Sequence, residues 1–232
     1  MLSVIKANDR YHHQTDWLST YWHFSFDHYW DPANVSFGVL RVFNDDVVQP
    51  ASGFPPHGHR DMEIITYVLA GELEHQDNRG NRGRIRAGEV QVMSAGTGIV
   101  HAERSPSKSD PLHLLQIWIM PRTQGLTPRW EQRKFSRSER RVGLLAVVSG
   151  DRAWDSLRID QDTTIYVAAL DNGQAVTHSL KNGRRAYAFA IEGKLSLNDL
   201  DLAEGEQARI TDEPRLAVSA SEPSELILLD LP

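Results

Sequence analysis

The sequence of 232 residues contains no cysteine, and this absence excludes several classes of functional site. Disulfides, iron–sulfur clusters, thiolate-bound metals and a cysteine nucleophile all need the missing side chain. Long apolar runs are absent too, because no stretch approaches the ~18 apolar residues of a membrane span. The first ten residues also lack the apolar core of a signal peptide. We therefore expect a soluble cytoplasmic protein.

Positive charge is in deficit as well. The chain has 25 lysines and arginines against 31 aspartates and glutamates, which gives a net charge of -6 and a pI of about 5.9. A mildly acidic chain lacks the electrostatic footprint of direct nucleic-acid binding. We interpret the single basic run, residues 79–86, as a solvated hairpin edge protected by charge rather than as a phosphate site.

Short alternating segments between glycine-rich turns indicate an all-β fold of sandwich or barrel type. We predict an N-terminal domain over residues 1–130 and a C-terminal domain over residues 131–232. Residues 1–36 are rich in aromatic side chains. We expect this segment to cover the β core of the first domain and to fill its open end. Thr127 and Pro128 are the N-cap and first position of a predicted short helix. The main strands are predicted at residues 38–44, 62–69, 72–77, 89–93, 113–120, 142–148, 163–170, 185–191 and 226–231.

Two pairs of potential metal ligands share one spacing. His57 and His59 flank Gly58, and His101 and Glu103 flank Ala102, so each pair points to one face of an extended strand. Three imidazoles and one carboxylate suit a divalent transition metal and leave two positions of an octahedral ion open. Those positions could take water and dioxygen, or both oxygens of a chelating substrate. A closed tetrahedral structural zinc site is the alternative.

The roles of Glu63 and of the remaining histidines are less clearly indicated by the sequence. Glu63 follows His59 by four residues, so it is a candidate fifth ligand, a group that orients a histidine, or a hydrogen-bond partner of the backbone; we favour the second. The remaining histidines are interpreted as non-ligands. His75 and His113 lie in strand patterns without a partner at metal spacing, and the others are expected to be exposed or in the aromatic segment: His12, His13, His23 and His28.

A weak internal repeat predicts that the second half carries no such site. Residues 69–73 resemble residues 191–195, and residues 87–91 resemble residues 204–208. Applying the same offsets to the four potential ligands leads to side chains that are not metal ligands of this kind: Ser179, Lys181, Val218 and Ala220. We therefore expect one site per chain, in the first half.

The two motifs resemble those of the cupins, and more narrowly those of the pirin family. Gly53, His57-Gly58-His59, Glu63 and Gly71 match the first cupin motif, and Gly88, Gly96 and His101 match the second. The forms His57–Glu63 and Met93–Glu103 are those of bacterial pirin-like proteins, some described as quercetin 2,3-dioxygenases. The resemblance implies two cupin domains face to face, a bicupin, with one metal ion in the first domain. It places the ligands at His57, His59, His101 and Glu103, whereas the more typical cupin pattern uses Glu63.

The resemblance also implies a function. We expect a metal-dependent dioxygenase that cleaves a flavonol-like, oxygen-chelating aromatic substrate of the quercetin type with dioxygen. The metal is expected to be Fe(II), with Zn, Ni, Cu, Mn and Co as alternatives. Glu103 is a candidate general base, and Glu63 a candidate for orienting a ligand. The alternatives are a pirin-like metal-dependent regulatory protein that acts through a protein partner, and a cupin isomerase or lyase. No nucleic-acid or membrane partner is expected.

Overall fold

The computed structural model describes residues 1–151 and 155–232, whose regular secondary structure is almost entirely antiparallel strands, and the all-β prediction is confirmed. The first twelve strands are β1 (Leu2–Ile5), β2 (Tyr11–Gln14), β3 (Leu18–Trp22), β4 (Leu40–Val48), β5 (Gly53–His59), β6 (Glu63–Ala70), β7 (Glu72–Asp77), β8 (Arg82–Arg86), β9 (Glu89–Ser94), β10 (Ile99–Arg104), β11 (Leu112–Ile119) and β12 (Arg129–Lys134). The remaining strands are β13 (Leu145–Ser149), β14 (Leu157–Arg158), β15 (Thr164–Leu170), β16 (Ala175–Ser179), β17 (Arg185–Glu192), β18 (Lys194–Leu197), β19 (Leu200–Ala203), β20 (Gln207–Thr211), β21 (Arg215–Ala220) and β22 (Ser224–Leu231).

Among the described residues, helical structure is confined to short segments. A 3-10 helix spans Ala7–Asp9, and the α-helix α1 spans Arg137–Arg140. No helix in this part of the chain is long and apolar enough to cross a membrane. The chain forms two compact units. The first unit comprises Tyr11–Phe135 and Leu157–Gln161, and the second comprises Met1–Arg10, Asp162–Pro232 and the described part of Ser136–Ser156.

The first unit is built from two antiparallel sheets. The larger sheet has the order β12-β9-β6-β11-β4-β3-β2, and the smaller has the order β5-β10-β7-β8. Strand pairing in the larger sheet places four polar side chains directly opposite one another, in one row across neighbouring strands: Asn44, Gln116, Thr66 and Gln91. A row of buried polar groups is costly unless each group has a partner, so this row indicates a specific role.

Apolar side chains lie on both sides of that polar row. Val68 and Leu114 belong to a buried cluster on one side, and Ile64 and Met93 belong to a second cluster on the other. Each of these side chains stabilises the fold by about 1.5–3 kcal/mol through burial, as an upper estimate. The clusters keep water away from the row, which strengthens any electrostatic interaction within it.

The second unit repeats the arrangement with an apolar interior. One of its sheets contains the order β1-β20-β17-β22-β15-β13, and the other has the order β16-β21-β18-β19. Val218 and Ala220, at the repeat positions of His101 and Glu103, are buried against Leu195 and Leu197. The first ten residues belong to this unit because β1 pairs with β20. The predicted N-terminal domain had included them, since the sequence does not indicate which sheet an N-terminal strand joins.

The predicted helix at Thr127 and Pro128 is wrong, because Arg129–Lys134 forms β12 on the edge of the larger sheet. The helix lies further along, at Arg137–Arg140. Ser136 caps it by accepting a hydrogen bond from the backbone N–H of Glu139, whose side chain accepts one from the Ser136 backbone. This capping box is the stronger helix signal in the segment. Thr127 and Pro128 instead precede a strand that completes the hydrogen bonding of β9.

Gly71 provides a test of the turn between β6 and β7. Its φ is +79°, and a Cβ at this position would lie 2.6 Å from the carbonyl oxygen of Pro111. We expect Gly71→Ala to destabilise the protein by about 3 kcal/mol, through left-handed strain and a clash with backbone. Gly80, with φ +91° and no atom within 4 Å of the added Cβ, is the matched control and should cost about 1 kcal/mol. Urea unfolding measures both variants, and an equal loss of unfolding free energy in Gly71→Ala and Gly80→Ala would contradict the clash.

Candidate metal centre

The three predicted histidine ligands meet because β10 lies between β5 and β7 in the smaller sheet of the first unit. His101 on β10 is directly opposite His57 on β5, and His59 is opposite Ile99, two pairs further along. Alternation along β5 places His57 and His59 on one face, and the pairing places His101 on the same face. The geometry therefore follows from an extended strand and one strand pairing.

The three imidazole rings are close neighbours. Ring centroids lie 4.8 Å apart for His57 and His59, 4.4 Å for His57 and His101, and 4.9 Å for His59 and His101. One nitrogen of each ring lies within 4.8 Å of a nitrogen of the other two. That spacing is compatible with three nitrogen ligands at about 2.0–2.1 Å from a shared ion.

The protonation of these rings favours metal binding. His57 Nδ1 donates to the carbonyl oxygen of Pro55 at 2.8 Å, which leaves Nε2 with its lone pair. Both nitrogens of His101 are buried and have no hydrogen-bond partner among the described residues. Burial, together with the neighbouring histidines, lowers the pKa of His59 and of His101 to about 3. The lowered pKa values keep His59 and His101 neutral, and this fits a divalent transition metal, because such an ion binds imidazole lone pairs.

Glu103 lies beside the histidines with both carboxylate oxygens engaged. Gln91 Nε2 donates to Oε1 at 2.5 Å, and Gln116 Nε2 donates to Oε2 at 3.0 Å. The side chain is fully buried, and burial raises the pKa of Glu103 despite the nearby histidines and these two donors. The carboxylate is therefore held in one orientation while its proton affinity is increased.

The donors to Glu103 are themselves oriented by a closed hydrogen-bond network. Trp130 Nε1, which can only donate, bonds to Gln91 Oε1 at 2.8 Å. The other end of the Gln91 amide donates to Thr66 Oγ1 at 3.0 Å, and the Thr66 hydroxyl donates to Gln116 Oε1 at 3.1 Å. Both amide nitrogens are consequently directed at Glu103. Three members of the polar row, Thr66, Gln91 and Gln116, thus position one carboxylate.

His75 is a residue that the sequence interpretation missed. It is fully buried on β7, directly opposite Glu103, and its ring stacks on Trp130 at 5.2 Å and 13°. His75, His101 and Glu103 form a second group whose ligand atoms lie within 4.8 Å of one another. The expectation that His75 has no partner at metal spacing is therefore wrong. The partnership arises from the pairing of β7 with β10, and the only local signal was a histidine in a strand pattern.

Glu63 lies in different surroundings from the histidines. The chain turns after His59, with Asp61 at φ +47°, and Glu63 begins β6 in the other sheet. Its carboxylate accepts from Ser94 Oγ at 2.5 Å and lies 3.7 Å from the Arg129 guanidinium, and burial raises its pKa. The four-residue spacing from His59 assumed one continuous strand. We therefore do not include Glu63 among the residues proposed below as ligands.

The other histidines have ordinary partners. His113 pairs with Asp45 at 2.7 Å, and His12 contacts Ser19 at 2.9 Å. His23 had been expected to be exposed or in the aromatic segment, and it is buried, with its ring stacked on Phe43 at 4.7 Å. His13 lines the cavity described next.

A cavity of about 350 Å³ opens above the histidines and Glu103. This volume lies in the range of small-molecule sites. Its walls are strongly aromatic, and the predicted aromatic segment does supply part of them. The aromatic lining residues, three from that segment and two from β5 and β11, are Trp17, Trp22, Phe26, Phe54 and Trp118. A flat, apolar ligand with a polar edge directed at the histidines matches this shape.

Asp46, a buried carboxyl in the cavity wall, gives a pH prediction. Burial raises its pKa to about 7 from 3.8, and the charges of Asp45 and Glu103 act in the same direction. The folded state therefore holds a proton that the unfolded chain releases near pH 4, so this group's contribution to stability is lost as pH rises through 7. The free energy of unfolding should therefore fall between about pH 4 and pH 7, and we expect Asp46→Asn to abolish up to about 4 kcal/mol of that fall. The measurement is urea unfolding of the metal-free wild type and the metal-free Asp46→Asn variant as a function of pH. If the free energies of unfolding of the two proteins changed in parallel with pH, the raised pKa of Asp46 would be contradicted.

Comparison with known proteins gives consistent results along the chain. Residues 5–119 match the family model for pirin, and residues 146–231 match that for the quercetinase C-terminal cupin domain. The chain is 43% identical over 232 residues to a quercetin 2,3-dioxygenase of Escherichia coli, with 100% of this chain and 99% of that protein covered. It is 43% identical over 216 residues to a pirin-like protein of Caulobacter vibrioides, with 92% of each covered.

Solved structures agree with these matches. The crystal structure of YhhW from Escherichia coli has a TM-score of 0.96 at 43% identity and covers 100% of this chain and 98% of that chain. The bacterial pirin YhhW in complex with nickel(II) has a TM-score of 0.95 at 43% identity, covering 100% and 99%. Relatives of this fold therefore include one that was crystallised with a transition metal.

Proposed function

Because the chain belongs to the pirin family, we propose that it is a metal-dependent dioxygenase that cleaves a flavonol-like, oxygen-chelating substrate of the quercetin type with dioxygen. One observation carries the proposal. Three imidazoles converge below an aromatic cavity of small-molecule size, and both ring nitrogens of one of them, His101, are buried without a partner among the described residues. The names of the relatives supply the reaction class.

The proposed ligands are His57, His59, His101 and Glu103. The imidazoles supply three neutral nitrogen ligands, and Glu103 adds a negative charge that balances a divalent ion. Fe(II) is the proposed metal, and Zn, Ni, Cu, Mn and Co are also compatible with a set of histidine and carboxylate ligands. The nickel complex of a relative supports the binding of a divalent transition metal in this family.

The chain's own residues would orient the substrate. A bound divalent ion would act as a Lewis acid that lowers the pKa of a coordinated enol oxygen. The aromatic walls, Trp22 and Trp118 among them, would hold the flat ring system and exclude water. Pro55 would keep His57 in the tautomer whose Nε2 faces the site, through its carbonyl oxygen at 2.8 Å.

Glu103 is the proposed proton acceptor for the substrate enol. Burial raises the pKa of this carboxylate in the metal-free site, and a Glu103 that partly left the ion could take up a proton. Oε2 is the better candidate atom, since its bond to Gln116 is 3.0 Å whereas the bond between Oε1 and Gln91 is 2.5 Å. Proton uptake at Oε2 would weaken only the longer of the two hydrogen bonds. The enolate that remains is the electron-rich species that reacts with dioxygen.

Incubation of the iron-loaded protein with quercetin, in air and under argon, tests the proposed function. We expect loss of quercetin absorbance, oxygen uptake and carbon monoxide release in air, and no turnover under argon. The metal-free protein is the control in both gases. Unchanged absorbance in air at confirmed metal occupancy would contradict the flavonol proposal, and turnover under argon would instead favour an isomerase or lyase.

A further inference from the structure

The charge of the cavity wall restricts the ligand. Three carboxylates line the cavity, Asp27, Asp46 and Glu103, and the lining includes no lysine or arginine within the described part of the chain. Acidic side chains without a neighbouring lysine or arginine make the metal-free cavity unfavourable for ligands that carry a carboxylate, sulfate or phosphate. The same side chains favour neutral ligands that donate hydrogen bonds.

Asn44 and Asp46 form a distinct polar patch within that wall. Both lie on β4, two residues apart and therefore on one face, at a spacing of roughly 6.5–7 Å along the strand. Each side chain is only 3% exposed. The amide oxygen of Asn44 has no hydrogen-bond partner among the described residues. A buried polar atom without a protein partner destabilises a fold, and at the wall of a cavity this oxygen is available to a hydrogen-bond donor of a ligand.

We propose that Asn44 and Asp46 form a recognition subsite for hydroxyl groups of a neutral, polyhydroxylated aromatic ligand. The subsite lies on the larger sheet, whereas the histidines lie on the smaller sheet. The inference rests on the proposed function, because it assigns the part of the same substrate that does not chelate the metal. It makes these two residues determinants of specificity.

Hydroxyl groups suit this patch better than other polar groups. A phenol hydroxyl can both donate and accept, so it satisfies the Asn44 amide in either orientation and the Asp46 carboxyl in either protonation state. A carboxylate ligand can only accept, so it could not donate to the Asn44 amide oxygen that lacks a partner. The aromatic walls would meanwhile contact the faces of the ring that bears the hydroxyl groups.

Binding of two flavonols under argon tests the subsite without turnover. Quercetin and 3-hydroxyflavone share the chelating enol, and only quercetin carries further hydroxyl groups. In calorimetric titration of the nickel-loaded protein, we expect quercetin to bind about tenfold or more tightly than 3-hydroxyflavone. Asn44→Leu and Asp46→Leu should each reduce that ratio severalfold toward one, with little change for 3-hydroxyflavone. Asp45→Leu is the matched control, because Asp45 is the neighbouring carboxylate on the opposite face of β4 and pairs with His113.

The outcomes separate this inference from the proposed function. A ratio near one in the wild type, or an equal loss for both flavonols in the two variants, would overturn the subsite even if quercetin is turned over in air. A large ratio that both variants remove, without oxygen uptake in air, would support the subsite and overturn the dioxygenase. Absence of binding by either flavonol would overturn both. Circular dichroism of each variant identifies any that is unfolded, and the other then decides the result.

Discussion

His101→Ala is expected to reduce the bound metal from one ion per chain to nearly none, while both units remain folded. His101 lies on the central strand β10, and it belongs to both groups of potential ligands, with His57 and His59 on one side and His75 and Glu103 on the other. Its loss therefore removes a ligand from either arrangement. We expect metal affinity to fall by more than about 100-fold, beyond the usual effect of losing a group that merely orients a ligand.

His113→Ala is the matched control for that variant, because His113 pairs with Asp45 and does not line the cavity. It should retain one metal ion per chain. The measurement is elemental analysis after exhaustive dialysis against a defined metal concentration, with thermal unfolding monitored by circular dichroism. Full occupancy in His101→Ala, or equal loss in both variants, would show that the three imidazoles do not hold the ion.

Glu103→Gln is expected to lower turnover by about 10²–10⁴-fold and to destabilise the metal-free protein by about 1–3 kcal/mol. The first effect follows from the loss of the proposed proton acceptor and of a negative ligand. The second follows from hydrogen-bond polarity, because both Glu103 oxygens accept from amide nitrogens. A glutamine here would direct an N–H at the N–H of Gln91 or Gln116. Trp130 prevents Gln91 from turning its oxygen toward the new amide.

Glu63→Gln separates the two effects of Glu103→Gln. Glu63 is an equally buried carboxylate, and its described partners are Ser94, Arg129 and the backbone of Asp160 rather than the histidines. This control should lose stability and keep its metal and its turnover. Oxygen uptake, elemental analysis and urea unfolding measure the three quantities. Unimpaired turnover in Glu103→Gln at full metal occupancy would contradict its role as proton acceptor.

Some of the site could be predicted from local sequence because it depends on strand periodicity. His57 and His59 share a face on any extended strand, and the same holds for His101 and Glu103. That β5 and β10 are paired was implied only by the resemblance to pirins. The prediction of one site, in the first half, followed from the offsets of the internal repeat. In the structure, Val218 and Ala220 belong to an apolar core.

The remainder of the site depends on register between strands that are distant in sequence. His75, Thr66, Gln91 and Gln116 come from four strands, and each looks like an ordinary strand residue by itself. Their meeting requires knowledge of which strands are neighbours and which residues face each other. The separation of Glu63 from the histidines has the same origin, since the turn after His59 moves it into the other sheet, where it accepts a hydrogen bond from the Asp160 backbone. Local periodicity does not contain that information.

Anomalous diffraction from crystals soaked with nickel(II), recorded on either side of the nickel absorption edge, is the most direct test of the metal site. We expect a single strong peak per chain, within bonding distance of the four proposed ligands: His57, His59, His101 and Glu103. A peak between His75, His101 and Glu103, without contact to His57 and His59, would contradict the proposed ligand set, and a peak in the second unit would contradict the assignment of the site to the first.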